Sequence, residues 1–268
     1  MSNYEARFGG VSRLFSAEGL ERLRRAHVCV IGIGGVGSWA VEALARSGVG
    51  ALTLVDLDDI CVTNVNRQLH AVEGEVGSTK VDAMARRVAA INPGCSVHPV
   101  HKFFTEASAA EILGPRFDYV LDAIDSPSKK CLLITSCRER GIPVFVVGGA
   151  GGRCDPTALK VSDLAFSTHD RLLAAVRSRL RSDFGFPRGE KKPFGVDCVY
   201  SSEPAVYPHV DGTVCEKPEP GTSLRLDCES GYGTACFVTG AFGFAAAGYV
   251  VQQIANGAAC PKAATSCP

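Results

Sequence analysis

The stretch VCVIGIGGVGSWAVEALARSGVGALTLVDLDD, residues 28–59, decides how the first half of this chain folds. An apolar, β-branched run leads into Gly32-x-Gly34-x-x-Gly37, an amphipathic segment follows, and a second apolar run ends at Asp56. Strand, glycine turn, helix and strand in that order open a nucleotide-binding α/β unit. The glycines permit a tight turn and expose backbone N–H groups at a helix N-terminus, where an anion is stabilised. Asp56 stands where a carboxylate accepts hydrogen bonds from a ribose. By itself the loop fits a hydride-carrying dinucleotide as well as any other nucleotide.

The same alternation continues to about residue 165. Apolar runs at 27–31, 52–55, 97–101, 119–123 and 144–147 read as strands, with helical patterns at 36–47, 80–91, 107–113 and 129–140 between them. Asn92-Pro93-Gly94 and Gly141-Ile142-Pro143 are helix stops. Strands apolar at nearly every position are expected where helices cover both faces of a sheet. The expected fold class is therefore α/β: a Rossmann-like, mostly parallel sheet with helices on both faces. Residues 166–268 are expected to add strands, loops and a hydrophobic helix, as a substrate-contacting and dimerisation region of the same domain as the 1–165 core.

Composition narrows the partners. The 268 residues carry a formal net charge of zero, so a polyanion site has to be a local patch. The polar first ten residues show no secretory core, and the 12 cysteines read as reduced thiols in a cytoplasmic protein. No C-x-x-C pair occurs among them, which excludes a zinc tetrad of that spacing. Residues 235–255 are uncharged over a membrane-like length, yet the glycines, the Gln252-Gln253 pair and the missing basic flank favour a buried or dimer-facing helix. No stable membrane insertion is expected.

Residues 55–84 separate the nucleotide classes. Asp58, Asn64, Arg67, Gln68 and Lys80 follow Asp56 closely. A dinucleotide needs little cationic help beyond the glycine loop. A triphosphate needs more, because charge builds on the α-phosphorus and on the departing pyrophosphate. Arg67 can clamp phosphate oxygens through its fork and Lys80 can act as a point charge. Further on, YVLDAIDSPSKK at 119–130 places Asp122 and Asp125 at a strand's C-terminal end, where open α/β sheets bind ligands. One carboxylate there suffices for Mg2+ against phosphates, and Asp125 is the favoured ligand over Asp122.

These motifs (GIGGVGS, D-x-D…N-x-x-RQ, G-x-x-K and D-x-x-D) resemble the ThiF-like adenylating superfamily, which uses ATP to turn a carboxylate into an acyl-adenylate. The resemblance implies an adenylation core in which Gly34, Gly35 and Gly37 cradle phosphate and Asp56 holds ribose. It implies phosphate contacts from Asn64, Arg67 and Lys80, and magnesium on Asp125. An N-terminal arginine, Arg13 in preference to Arg7, would reach into the partner's site, so a homodimer is implied. The segments RFGGVSRLFS, GGAGGRCDPT, SDFGFPRGEKKPFGVDCVYSSEPAVYP and CESGYGTACFVTGAFG resemble the branch whose members dehydrate threonylcarbamoyladenosine in tRNA, across about residues 7–254. That branch implies ATP-driven cyclisation through an acyl-adenylate. The rival expectation is activation of a carrier protein's C-terminus.

Some expectations stay open at this level. Whether a monovalent cation or a sulfur-relay protein joins the reaction is not decided by these residues. Cys198, in an apolar strand, and Cys228, in a polar loop, are the thiols weighed for a thioester, which a cyclisation does not require. For tRNA contact the basic run 171–192 stands against a merely solvated helix face. Tyr200, Tyr207 and Phe186 are candidates to stack a base.

Overall fold

A computed structural model describes residues 2–189, 192–218 and 232–257. The central sheet has seven strands in the order β3-β2-β1-β4-β5-β7-β6. These are β1 (His27–Ile31), β2 (Ala51–Val55), β3 (Ser96–Val100), β4 (Tyr119–Asp122), β5 (Val144–Val147), β6 (Leu159–Asp163) and β7 (Asp197–Ser201). All neighbours are parallel except the β6–β7 pair. The chain order reverses between β1 and β4, which opens a crevice at their C-terminal ends. β8 (Tyr207–Pro208) and β9 (Val214–Cys215) form a separate two-stranded ribbon.

Alternation along β1 shows why the sheet has two covered faces. Val28 and Val30 pack into one cluster with helices α2 (Gly37–Arg46), α3 (Lys80–Ile91) and α7 (Cys236–Ala255). Cys29 and Ile31 point the other way, against α4 (Ala109–Ile112) and α5 (Pro127–Arg140). α6 (Arg171–Asp183) extends that second layer through Leu173, Val176 and Leu180. Successive side chains of a strand face opposite ways, so an unbroken apolar run feeds both layers.

The expected strands and helices appear within a few residues of their bounds. β3 lies at the sheet's edge and tolerates Pro99 there, since an edge strand has a row of amides outside the ladder. Two elements carried no clear signal. α1 (Asn3–Arg25) holds Gly9 and Gly10 and a break at Ser16 (φ 66°), so its helix pattern is interrupted. It is secured by the reciprocal Ser2–Glu5 cap and by packing on α7, where Gly19 sits against Ala255. β6 alternates Lys160 and Ser162 with apolar residues because it is the opposite edge strand.

Residue 165 is not an edge of the fold. β7 lies between β5 and β6 in the sheet, and α7 packs on α2, α1 and β4, β5 and β7. The uncharged 235–255 segment is thus a core helix. It is the one helix among the described residues long and apolar enough to span a bilayer, and Val238, Phe242, Ala246 and Val250 are fully buried.

Candidate active site at the β1–β4 crevice

The glycine loop begins where β1 ends. Gly32 (φ 91°) donates to the carbonyl of Val55, and a Cβ there would stand 2.7 Å from the carbonyl oxygen of Ala123. A side chain at Gly37 would collide with the Gly32 carbonyl oxygen at 1.8 Å. These two glycines close the turn against the neighbouring strand. Gly34 is different, since among the described residues a Cβ there meets only Gln68 Nε2, at 3.9 Å. Its freedom from neighbours leaves backbone open to a ligand, which is the role the motif assigns it.

Asp56 ties the crevice together. Its Oδ2 accepts from the Ile33 amide at 2.7 Å and its Oδ1 from the Asp58 amide at 2.9 Å. The chain then doubles back, with the Ile60 amide donating to Ser78 and the Lys80 amide to Asp58. That return places Lys80 Nζ 2.7 Å from Asp58 Oδ2. Lys80 is buried while Asp58 is half exposed, so the ammonium is held from the protein side and its partner faces solvent.

Asn64 and Arg67 occupy a 3-10 turn (Val62–Asn64) and the residues after it. Asn64 Oδ1 accepts from the Cys61 amide at 3.0 Å, and the Asn64 carbonyl accepts from both Arg67 and Gln68 amides. Arg67 Nη1 donates to the Thr63 carbonyl at 2.7 Å and to Asn66 Oδ1 at 3.1 Å. The Arg67 carbonyl accepts from Trp39 Nε1 at 3.0 Å and Thr239 Oγ1 at 3.1 Å. Thr239 also lies beside Gly35, 3.2 Å from where its Cβ would be. Trp39 and Thr239 are therefore supports that motif reading does not find, because they come from α2 and from the distant α7.

The end of β4 carries both aspartates, with opposite fates. Asp122 is fully buried beside a fully buried Lys130, Nζ to Oδ1 3.1 Å. Burial pushes the Asp122 carboxyl up, and the Lys130 charge and the Ile124 amide pull the other way. Asp125 is exposed just ahead of α5. Lys130 too escapes motif reading; its one sequence signal is position, three residues inside a helix that follows the acids.

Polar atoms without partners collect at this edge. Among the described residues, Gln68 Oε1, His70 Nδ1, Asp122 Oδ2 and Arg153 Nε are buried and unpaired. The first three lie under the glycine loop or at the end of β4: Gln68 below Gly34, and His70 through Nε2 to the Ile33 carbonyl at 2.8 Å. Buried polar atoms normally find partners, so a cluster of unpaired ones beside open backbone fits a polar ligand such as a nucleotide. No group of three or more His, Cys, Asp or Glu able to hold a metal occurs among the described residues. Asp125, exposed at the end of β4, would suit Mg2+, whose remaining ligands would be waters and phosphate oxygens.

Several expectations are placed elsewhere or revised. Arg13 is exposed on α1, and Arg7 is engaged with Asn3 and the Ile91 carbonyl. Tyr200, Tyr207 and Phe186 are buried, which withdraws them as stacking partners for a base; Phe166 and Phe184 are the exposed aromatics flanking and ending α6. Cys198 is fully buried, and burial pushes its thiol up to about 12, which disfavours the thiolate at neutral pH. Cys228 and Lys191 lie outside the described residues.

The fold and crevice define a nucleotide-binding α/β protein with the cations an adenylating enzyme requires. A family model described as ThiF family matches residues 10–258. The chain belongs to the ThiF family. It is 49% identical over 252 residues to the tRNA threonylcarbamoyladenosine dehydratase of Escherichia coli (strain K12), covering 94% of each chain. The solved structure of the E. coli tRNA N6-threonylcarbamoyladenosine dehydratase in complex with ATP superposes with a TM-score of 0.84 at 44% identity, over 97% of this chain and 98% of that one. The molybdopterin-synthase adenylyltransferase of Salmonella typhimurium is 34% identical, over 54% of this chain and 57% of that protein.

Proposed function

We infer that this chain uses ATP to dehydrate threonylcarbamoyladenosine in tRNA through an acyl-adenylate. The observation that carries the reading is the gathering of open glycine backbone, Asp56, Arg67, Lys80 and Asp125 at one crevice, in a chain similar along nearly its whole length to such a dehydratase. The threonyl carboxylate attacks the α-phosphorus and pyrophosphate leaves. The ureido group then closes on the activated carbonyl, AMP departs carrying the oxygen formally lost as water, and a ureido proton is released.

Each residue has a physical task in that sequence. Gly34 and Gly35 let the phosphates approach, and Asp56 holds the loop and faces the ribose. Arg67 and Lys80 offset the charge that moves onto pyrophosphate, within a crevice partly withdrawn from water. Magnesium held at Asp125 would neutralise phosphate charge. Ring closure is intramolecular, so holding the two ends together supplies much of the second step. No thiol is needed. Arg13, exposed on α1, would complete the site of a second copy, which makes the working unit a homodimer.

The carrier-protein alternative is disfavoured by the missing C-x-x-C pairs and by the adenylyltransferase likeness stopping at about half the chain. The deciding experiment incubates the protein with ATP, Mg2+ and threonylcarbamoylated tRNA, then weighs the nucleosides. Loss of one water with stoichiometric AMP is expected. AMP release only with a carrier protein, and none with tRNA, would overturn the reading.

A further inference from the structure

Cations also gather away from the crevice. Ala174, Arg177, Ser178, Arg181 and Ser182 of α6, with Arg188 from the following loop, line a concavity of about 350 Å3. The helical members recur at three- and four-residue spacing, so they share one face. None of the described lining residues is acidic.

The site is built rather than merely exposed. Arg177 is hydrogen-bonded to Ser167 Oγ, and Arg181 Nε donates to the Pro187 carbonyl at 3.4 Å. The Arg181 guanidinium lies 5.1 Å from the Phe194 ring centre, and Arg138 of α5 lies 4.7 Å from that of Phe186. These interactions pin the loop that presents Arg188 opposite α6. Burial and the nearby Arg181 charge hold the Arg177 guanidinium below its usual value, with Asp170 acting against them. Three guanidiniums converging with no carboxylate among the described lining residues make a local field that favours an anion.

α6 also connects this field to the crevice. Its cap, Asp170, accepts from the Gly149 amide at 2.8 Å, immediately beyond the end of β5. The helix therefore starts at the active edge and leads away from it. Arg177 and Arg181 are about 6 Å apart along the axis, and Arg171 to Arg181 spans about 15 Å. The first distance is comparable with the separation of adjacent phosphates on a strand.

We propose that the α6 concavity is a docking site for backbone phosphates of the RNA substrate, away from the nucleotide being modified. It rests on the tRNA reading above and extends it to particular residues. Guanidinium forks match phosphate oxygens, and such pairs position a nucleic acid without reading its bases.

The test is a titration of labelled tRNA by fluorescence anisotropy at several salt concentrations, with Arg188→Gln, the double variant Arg181→Gln/Arg188→Gln, and Arg188→Lys. Arg188→Gln should weaken binding about tenfold. It should also lower the salt slope by about 0.7–0.9 for each phosphate that is no longer neutralised. Arg188→Lys should keep the slope, and that retention shows the loop is still folded. In turnover, KM for tRNA should rise while kcat, and AMP formation with the free modified nucleoside, stay unchanged. Unchanged affinity and slope in the double variant would overturn the docking site and leave the concavity to an acidic protein surface. Wild-type protein that binds tRNA with this salt signature but releases no AMP would sink the dehydratase reading and keep the docking site.

Discussion

Arg67 shows how one residue divides its work between backbone and side chain. Its carbonyl is anchored by Trp39 and Thr239, while its guanidinium, among the described residues, donates to Thr63 and Asn66. Arg67→Ala should leave the circular-dichroism melt almost unchanged and lower AMP release at least about a hundredfold, the scale of losing one transition-state donor. Near-wild-type turnover would contradict its place at the phosphates. Cys198 gives the opposite case. A buried thiol with a raised pKa is packing, so Cys198→Ala should cost about 1 kcal/mol in denaturant unfolding and leave turnover within about twofold. A dead but folded Cys198→Ala would restore a covalent step.

At the scale of elements, the turn between β1 and α2 holds glycines of two kinds, those where a Cβ would collide with backbone and those where it would find room. A methyl at Gly37 meets the Gly32 carbonyl at 1.8 Å, so Gly37→Ala should destabilise the fold by at least about 2 kcal/mol. A methyl at Gly34 meets nothing among the described residues closer than 3.9 Å, so Gly34→Ala should keep the melting temperature and weaken ATP in a calorimetric titration. Equal thermal losses from both would remove the distinction. The α7 helix depends on the same device. A methyl at Gly243 would stand 2.7 Å from Trp39 Cβ and from the Val36 carbonyl oxygen. Small residues on α7 let α2 approach, and that close packing carries Thr239 to the loop.

Across the whole molecule, Glu42 of α2 links two helices through Arg46 and Arg87, with Glu42 Oε2 2.6 Å from Arg87 Nε. Burial alone would raise its carboxyl, but the hydrogen bonds from Arg87 and Arg46 outweigh it and the net shift is downward. A carboxylate depressed in the folded state stabilises above its unfolded pKa, and that contribution disappears as pH falls through the folded value. Wild-type stability should therefore hold above about pH 4.3 and decline below it. Glu42→Gln should lose about 1.5–3 kcal/mol at neutral pH and show a flatter acid limb in urea melts. Parallel acid limbs in the two proteins would show that Glu42 does not set the acid response.

The amino-acid sequence by itself determined the βαβ opening, the order of acids and cations after it, and the absence of paired metal cysteines. Those features are local: a glycine turn, an apolar run and a short spacing each act through neighbouring backbone. It was silent on α1, broken by Gly9, Gly10 and Ser16, and on the polar edge strand β6, because both take their order from distant partners. Tertiary structure alone decided that Lys130 lies against Asp122, that α7 returns to hold Arg67, and that the arginines of α6 converge with Arg188. Each of these joins residues brought together by the fold, where burial and close packing, not local propensity, select the pair.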